Sequence, residues 1–176
     1  MMVTIESVLE IVPAFSIAVA LVYYGLQVRN QNKARKAQVY IQIWNKFSSP
    51  EFLTRYNKTL NREWTDYNDY IEKYGSLRYT NTELYAQNVS VGVYFEGVGV
   101  LLKQELIDVQ TVADLLGTSI LAWWDKIGPL MKEYRVTLNQ PRAYLYAEYL
   151  YDQIKQIVEK EHPEVKSEIP LPRPNR

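Results

Sequence analysis

The sequence predicts an all-α protein: one N-terminal transmembrane helix continues into a juxtamembrane helical stalk, and a cytoplasmic helical bundle follows. Three observations lead to this prediction. Residues 11–28 form a nearly unbroken apolar run, the first cations of the chain come directly after it, and apolar residues further on recur at helical spacing. We divide the chain into a transmembrane helix (1–28), a stalk (29–48), a bundle (49–160) and a polar, Pro-rich tail (161–176).

The apolar run has the length of a membrane span. A helix rises about 1.5 Å per residue, so this run extends roughly 27 Å, close to the ~30 Å hydrocarbon core of a bilayer. Only Ser16 and Gln27 interrupt it with polar side chains. Tyr23 and Tyr24 lie toward its charged end, where an aromatic ring with a polar tip suits the headgroup layer.

Cations set the predicted orientation. Residues 1–28 contain no Lys or Arg, whereas the next eight residues contain four cations and no anion: Arg29, Lys33, Arg35 and Lys36. A cation-rich flank stays in the cytoplasm, so we expect a single-pass protein of the cell membrane, with the N-terminus outside and residues 29–176 in the cytoplasm. The lipid bilayer is then its first partner.

Two other interpretations of the apolar run are disfavoured. A cleaved signal peptide carries its cations before the apolar run, and this chain has none there. A buried helix of a soluble protein gives no reason for cations to follow the apolar run at one end only. Within the run, Ala14, Ala18 and Gly25 share one helix face, which is a candidate seam for self-association. Small residues are also frequent in spans in general, so this seam has a simpler alternative explanation.

Composition excludes several classes of protein. The chain has no Cys and a single His, His162, which excludes disulfides, thiol catalysis and metal sites built from Cys or from two His residues. After residue 36 it carries 16 cations and 18 anions, too even a balance for a nucleic-acid surface. We therefore expect no cofactor, no metal and no nucleic-acid partner, and we lean against an enzyme.

The stalk and the bundle are predicted from helical spacing and helix-end residues. No Pro or Gly interrupts residues 29–47, so the first helix is expected to continue to Phe47. Helix starts are predicted after it at Ser49, Asp66, Thr80, Asp108 and Asn139. Ser49, Asp108 and the capping box that begins at Thr80 are expected to supply side-chain caps. Gly128-Pro129 is expected to kink or divide the helix that contains it.

Residues 89–102 are expected to form the central helix of the bundle. The stretch is apolar on most sides, but at 14 residues it is short for a second span, and Glu96 near its middle disfavours insertion. Gly92, Gly97 and Gly99 are expected to let neighbouring helices approach closely.

Glu96 is the most suggestive single residue, because a carboxylate among apolar side chains is either paired or has a raised pKa. The functional interpretation is a proton or cation site or a general base. The structural interpretation, which we favour, is a buried ion pair with a cation such as Arg135 or Arg142.

The order of features resembles a family of small bacterial and archaeal membrane-anchored helical proteins known as a domain of unknown function. The resemblance covers roughly residues 15–155. It is carried by Arg29, Asn30, Arg35 and Lys36, by the segments 95–99, 106–108 and 127–129, and by Trp124 and Arg135. It implies an all-helical fold and a membrane anchor, brings no catalytic residue, and suits an ion pair between Glu96 and Arg135.

The functional expectation is a membrane-tethered interaction or assembly protein. It would self-associate or serve as an accessory subunit of a membrane complex. One alternative is an oligomeric pore or ion pathway, which would use Ser16 and Gln27. Another is a carboxylate-based enzyme at the membrane surface, centred on Glu96.

Overall fold

The computed structural model describes residues 5–75 and 80–163, with side chains for 15–75, 80–87 and 89–163. Every regular element in these ranges is helical, which confirms the predicted all-α class. The elements are α1 (Ile5–Phe47), α2 (Pro50–Leu60), α3 (Tyr67–Tyr70), a π-helical segment (Ile71–Gly75), α4 (Thr82–Lys103), α5 (Val109–Thr137) and α6 (Leu145–Glu161).

The chain forms two compact units, Met1–Ile41 and Gln42–Arg176. In the first unit, α1 is the only described element, and its described side chains from Phe15 to Gln27 are all exposed. Among the described residues, no helix is both long and apolar enough to cross a membrane. The first part of the predicted span, residues 11–14, has side chains outside the described set, as does the predicted tail from residue 164 onward.

The predicted helix starts are largely confirmed. The side chains of Ser49, Asp66 and Asp108 each accept a hydrogen bond from a first-turn backbone N–H of the following helix. In α4 the cap is Asn81, which accepts from the Leu84 N–H at 2.9 Å, and not the predicted Thr80. These caps satisfy donors that would otherwise lack a partner at a helix end.

The predicted start of the last helix at Asn139 is wrong. Asn139 has a φ of 52°, in the left-handed region, and α6 begins only at Leu145. Gly128-Pro129 was expected to kink or divide its helix, and the division is absent, because α5 continues through it to Thr137. Ile127, Leu130 and Met131 are buried around the proline, and this packing outweighs its low helix propensity.

The core of the second unit forms where α6 packs against α4 and α5, with α2 packed against the same two helices. Its most completely buried side chains are Phe52, Val91, Phe95, Val112, Leu116, Ile120, Leu150 and Ile154. The last turns of α1 contribute Ile43 and Phe47, each 7% exposed, to this unit.

Glycine allows α4 and α6 to come into direct backbone contact. A Cβ added at Gly99 would lie 2.0 Å from the carbonyl oxygen of Tyr146, so no other residue fits there without a shift. At Gly97, by contrast, an added Cβ would meet open space. The expected close approach is therefore found at Gly99 and not at Gly97.

Candidate functional site

A cavity of about 230 Å³ lies in the second unit. The residues that line it come from α2 and the loop after it, α3, the π-helical segment, α4, α5 and the connection between α5 and α6. Its lining is unusually aromatic, with Trp123 and five tyrosines: Tyr70, Tyr74, Tyr85, Tyr134 and Tyr144. A concave, mostly apolar site with a few polar groups is the usual form of a small-molecule pocket.

Trp123 is the most deeply buried aromatic residue of the lining. It is 2% exposed, and its ring lies 5.0 Å from that of Phe95, centroid to centroid. Its indole N–H is buried and has no hydrogen-bond partner among the described residues. An unsatisfied buried donor costs about 1–3 kcal/mol.

Tyr144 reaches the cavity from a strained backbone position. Its φ of 52° and ψ of 31° are left-handed, a conformation that costs an L-residue roughly 1–2 kcal/mol. Its ring lies over Gly92, where an added Cβ would come within 2.3 Å of the ring Cε1. Burial raises the pKa of the Tyr144 hydroxyl, which therefore stays protonated at neutral pH.

Arg135 holds the turn that contains Tyr144. Its Nε donates to the Ala143 carbonyl at 2.7 Å, and its Nη2 donates to the Tyr144 carbonyl at 2.9 Å. The same guanidinium pairs with Glu148, whose carboxylate also lies 3.2 Å from the Lys132 Nζ. Burial alone would raise the pKa of Glu148, but hydrogen bonds from Arg135 and Lys132 outweigh it and hold that pKa below its ordinary value.

Glu96 caps the last helix from outside it. Its Oε2 accepts a hydrogen bond from the backbone N–H of Ala147 at 2.7 Å, in the first turn of α6. Tyr144, the N-cap residue of α6, makes no side-chain capping bond. A carboxylate at this position satisfies an open donor and interacts favourably with the positive end of the helix dipole.

The predicted ion pair between Glu96 and Arg135 is therefore replaced by two separate arrangements. Arg135 pairs with Glu148, while Glu96 binds a backbone donor. Both side chains are partly buried, as predicted for charged groups that need a partner. The difference arises because the turn before α6 offers two carbonyls to Arg135, and the start of α6 offers an N–H to Glu96.

The site residues predicted in the first unit all lie on α1. The membrane-interface residues Tyr23, Tyr24, Arg29, Lys33, Arg35 and Lys36 are exposed. Of the predicted packing seam, Ala18 and Gly25 are exposed, and the Ala14 side chain lies outside the described residues. The large apolar side chains between them are exposed too; Phe15, Leu21 and Val22 have exposed fractions of 69%, 67% and 65%.

The cavity was not predicted from the sequence. Its tyrosines come from four different parts of the chain, so no spacing along the sequence links them. The only advance signal was the high number of Tyr residues, 15 in all, which is equally typical of boundary positions. Among the described residues, no three His, Asp or Glu side chains converge as a metal site would require.

A comparison with protein families finds one that matches residues 12–154, described as a domain of unknown function (DUF4760). Searches of the curated proteins and of the solved structures give no match. The matched residues include α2 to α5 in full and every residue of the cavity lining. The chain therefore belongs to the family described as domain of unknown function DUF4760, in agreement with the resemblance in its sequence.

Proposed function

We propose that this protein is a membrane-tethered interaction protein. Residues 11–28 anchor it in the bilayer, the second unit lies on the cytoplasmic side, and the protein associates with itself or with another membrane protein. The observation that carries the proposal is the exposure of every described side chain from Phe15 to Gln27.

Lipid is the partner that fits this exposed surface best. Leaving apolar surface in water costs roughly 25 cal/mol per Å², and soluble monomers seldom expose such a contiguous patch. A protein partner covers one face of a helix, whereas lipid covers all faces at once. A helix that is apolar all round is typical of a span or of the core of a large protein.

The flanks of the run support the same proposal. Four cations and no anion follow it within eight residues, and Tyr23 and Tyr24 precede them. Cations near a span are attracted to anionic headgroups and retained in the cytoplasm. Membrane topology and attraction to headgroups therefore explain the basic stretch, and no nucleic-acid partner is needed to explain it.

Membrane fractionation tests the anchor. We expect the chain to remain in the membrane pellet after alkaline carbonate washing. The double variant Val19→Lys/Val22→Lys should move to the soluble fraction, because each Lys near the centre of a span costs about 2.5–3.5 kcal/mol. The matched variant Asn30→Lys/Gln38→Lys, also on exposed positions of α1, should stay in the pellet. A wild-type chain released by the wash would overturn the proposal.

The orientation can be tested by labelling single Cys residues, because the chain itself contains no Cys. Single variants Ser7→Cys and Gln156→Cys can each be treated in intact cells with a maleimide that does not cross membranes. We expect labelling at residue 7 only, and labelling at residue 156 once the cells are lysed. The reverse pattern would contradict the proposed topology.

Cross-linking in membranes tests the association. If the seam packs against a second copy, Ala18→Leu/Gly25→Leu should reduce the cross-linked dimer several-fold, since bulkier side chains keep helices apart. Val19→Leu/Ala20→Leu, which lies away from the seam face by helical spacing, should leave it unchanged. A wild-type protein that neither cross-links to itself nor retrieves a membrane protein would count against an interaction role.

The two alternatives gain less support. A pore would use Ser16 and Gln27, the only polar side chains of the run. An enzyme would use Glu96, but its carboxylate is already engaged by the Ala147 N–H, which favours a structural role.

A further inference from the structure

We propose that the cavity binds a small organic anion, which consists of one apolar ring and a carboxylate or similar acidic group, with the anionic group beside Arg62. The site lies in the second unit, so this inference is independent of the proposed membrane anchor. The cavity volume of about 230 Å³ exceeds the ~150 Å³ of an apolar cavity known to take up benzene, so one substituted ring fits.

The walls of the cavity suit an apolar ring. Val89, Ile127 and Met131 give the lining aliphatic and thioether surface, and its five tyrosines give it aromatic surface. The rings of Tyr70 and Tyr74 lie 5.3 Å apart, centroid to centroid, a separation at which aromatic rings attract one another. A further ring placed in the cavity gains contacts of the same kind.

Arg62 supplies the reason for an anionic group. Among the described residues that line the cavity, it alone is charged at neutral pH. Two contacts place its guanidinium, and not merely its aliphatic stem, beside the cavity. The guanidinium lies over the ring of Tyr74, 5.0 Å from the centroid, and it is hydrogen-bonded to the hydroxyl of Tyr70; both tyrosines belong to the lining. A guanidinium carries several N–H donors in one plane and binds a carboxylate through two of them at once.

The tyrosine hydroxyls of the lining are compatible with an anion. Burial is the largest cause that raises the pKa of Tyr70 and of Tyr144, so both hydroxyls stay protonated and neutral at pH 7. The pKa of Tyr144 is raised further by Tyr70, Tyr85 and Tyr134, which shows that these hydroxyls lie close enough to interact. A neutral hydroxyl can donate a hydrogen bond to an anion.

A cation suits the same lining less well. Aromatic cages often bind ammonium groups, but here Arg62 already lies over the ring of Tyr74. No acidic residue is found in the described part of the lining. Glu96, whose charge contributes to the raised pKa of Tyr144, lies outside the lining, and its carboxylate binds the Ala147 N–H. The lining therefore offers an anion a positive charge and offers a cation no counter-charge.

Isothermal titration calorimetry tests the inference on the full chain in nanodiscs of neutral lipid, with empty nanodiscs as the blank. Three probes that share one ring and have similar sizes are compared: phenylacetate, an anion; phenylacetamide, which is neutral; and phenethylamine, a cation. We expect phenylacetate to bind saturably and about tenfold more tightly than phenylacetamide, because hydrogen bonds to charged groups are the stronger ones. Phenethylamine should give no saturable binding.

Two arginine variants test the role of the charge. Arg62→Gln should weaken the binding of phenylacetate about tenfold and change that of phenylacetamide little. Arg55→Gln removes the same group from a partly buried position of α2 outside the lining, and it should leave both affinities unchanged.

Two variants one helical turn apart on α4 test the place of binding. Val89→Phe fills the cavity and should abolish binding of phenylacetate. Val93→Phe adds the same ring at a position that is 60% exposed and outside the lining, and it should preserve binding. The inference is overturned if phenylacetate does not bind saturably to the wild type, if phenylacetamide or phenethylamine binds at least as tightly, or if folded Arg62→Gln retains the wild-type preference for the anion.

Discussion

At the scale of single residues, Glu96 and Arg135 show what the sequence can predict about buried charge. The apolar neighbours of Glu96 indicated that it needs a partner, and Arg135 was expected to supply one; both side chains are partly buried and hydrogen-bonded. Their actual partners were not predictable, because these depend on where the turn before α6 places the Ala143 and Tyr144 carbonyls and the Ala147 N–H. Sequence patterns identify a charge that must be satisfied but not the backbone group that satisfies it.

The capping role of Glu96 predicts a graded loss of stability. Glu96→Gln keeps an acceptor for the Ala147 N–H but removes the charge, and should lower the free energy of unfolding by about 0.5–1 kcal/mol. Glu96→Leu leaves the N–H unsatisfied and should cost about 1–3 kcal/mol. Thermal unfolding followed by circular dichroism measures both, with the exposed Glu133→Gln as a control. Equal effects of the Gln and Leu variants would argue against capping.

The Arg135–Glu148 pair predicts a pH dependence. The pKa of Glu148 is lowered from its ordinary value of 4.5 in the folded state. A lowered carboxyl pKa contributes stability that is present above about pH 4.5 and is lost as the pH falls through the folded pKa. As the pH falls below about 4.5, Glu148→Gln should therefore lose less stability than the wild type, because the variant has no carboxylate to protonate at this position. The pKa of Asp152 is raised by burial and by Glu148, so Asp152 contributes with the opposite sign; in Glu148→Gln only the part due to burial remains. Unfolding midpoints measured from pH 7 to pH 3 test this, and parallel curves for the two proteins would contradict it.

At the scale of elements, helix starts were predictable where a side chain of the same segment makes the cap. Ser49 and Asp108 were found in this way. The start of α6 was missed because its first turn is capped by Glu96 from another helix, 51 residues away in the chain. The sequence left open whether Pro129 kinks or divides α5. The helix is not divided there, because its continuity depends on burial of Ile127 and Leu130 and not on local propensity.

Two glycines of α4 predict opposite effects of the same substitution. Gly97→Ala adds a methyl group in open, exposed space and should stabilise the helix by about 0.5–1 kcal/mol. Gly99→Ala places that group 2.0 Å from the Tyr146 carbonyl oxygen and should destabilise by about 1–3 kcal/mol, because the α6 backbone must move. Chemical denaturation of the two variants side by side measures the difference. Destabilisation by both variants alike would contradict the proposed α4–α6 contact.

At the scale of the whole molecule, the division into two units could be anticipated only in part. The sequence predicted a boundary after residue 48, just beyond the end of α1 at Phe47, but the second unit begins at Gln42. The reason is that Ile43 and Phe47 are core residues: Phe47 lies 5.6 Å from Phe52, centroid to centroid, and the Ile43 carbonyl accepts from the Tyr94 hydroxyl at 2.7 Å. Periodicity marks the end of a helix, whereas burial decides to which unit its last turns belong.

Truncation tests this boundary. A chain that begins at Gln38 keeps Ile43 and Phe47 and should unfold in one cooperative transition without its apolar segment. A chain that begins at Ser48 lacks both core side chains and should be less stable by several kcal/mol, since removing one large core side chain costs about 2–5 kcal/mol. Thermal or urea unfolding of the two chains measures the loss. Equal stability would show that the end of α1 is dispensable to the second unit.

The packing of α6 also bears on how the protein is made. This helix contributes Leu150 and Ile154, which are fully buried, and it contacts both α4 and α5. A ribosome synthesises α4 and α5 first, so the apolar surfaces that later receive α6 are exposed until translation is nearly complete. A chain that ends before residue 145 lacks this cover altogether, so we expect such a product to aggregate or to be degraded.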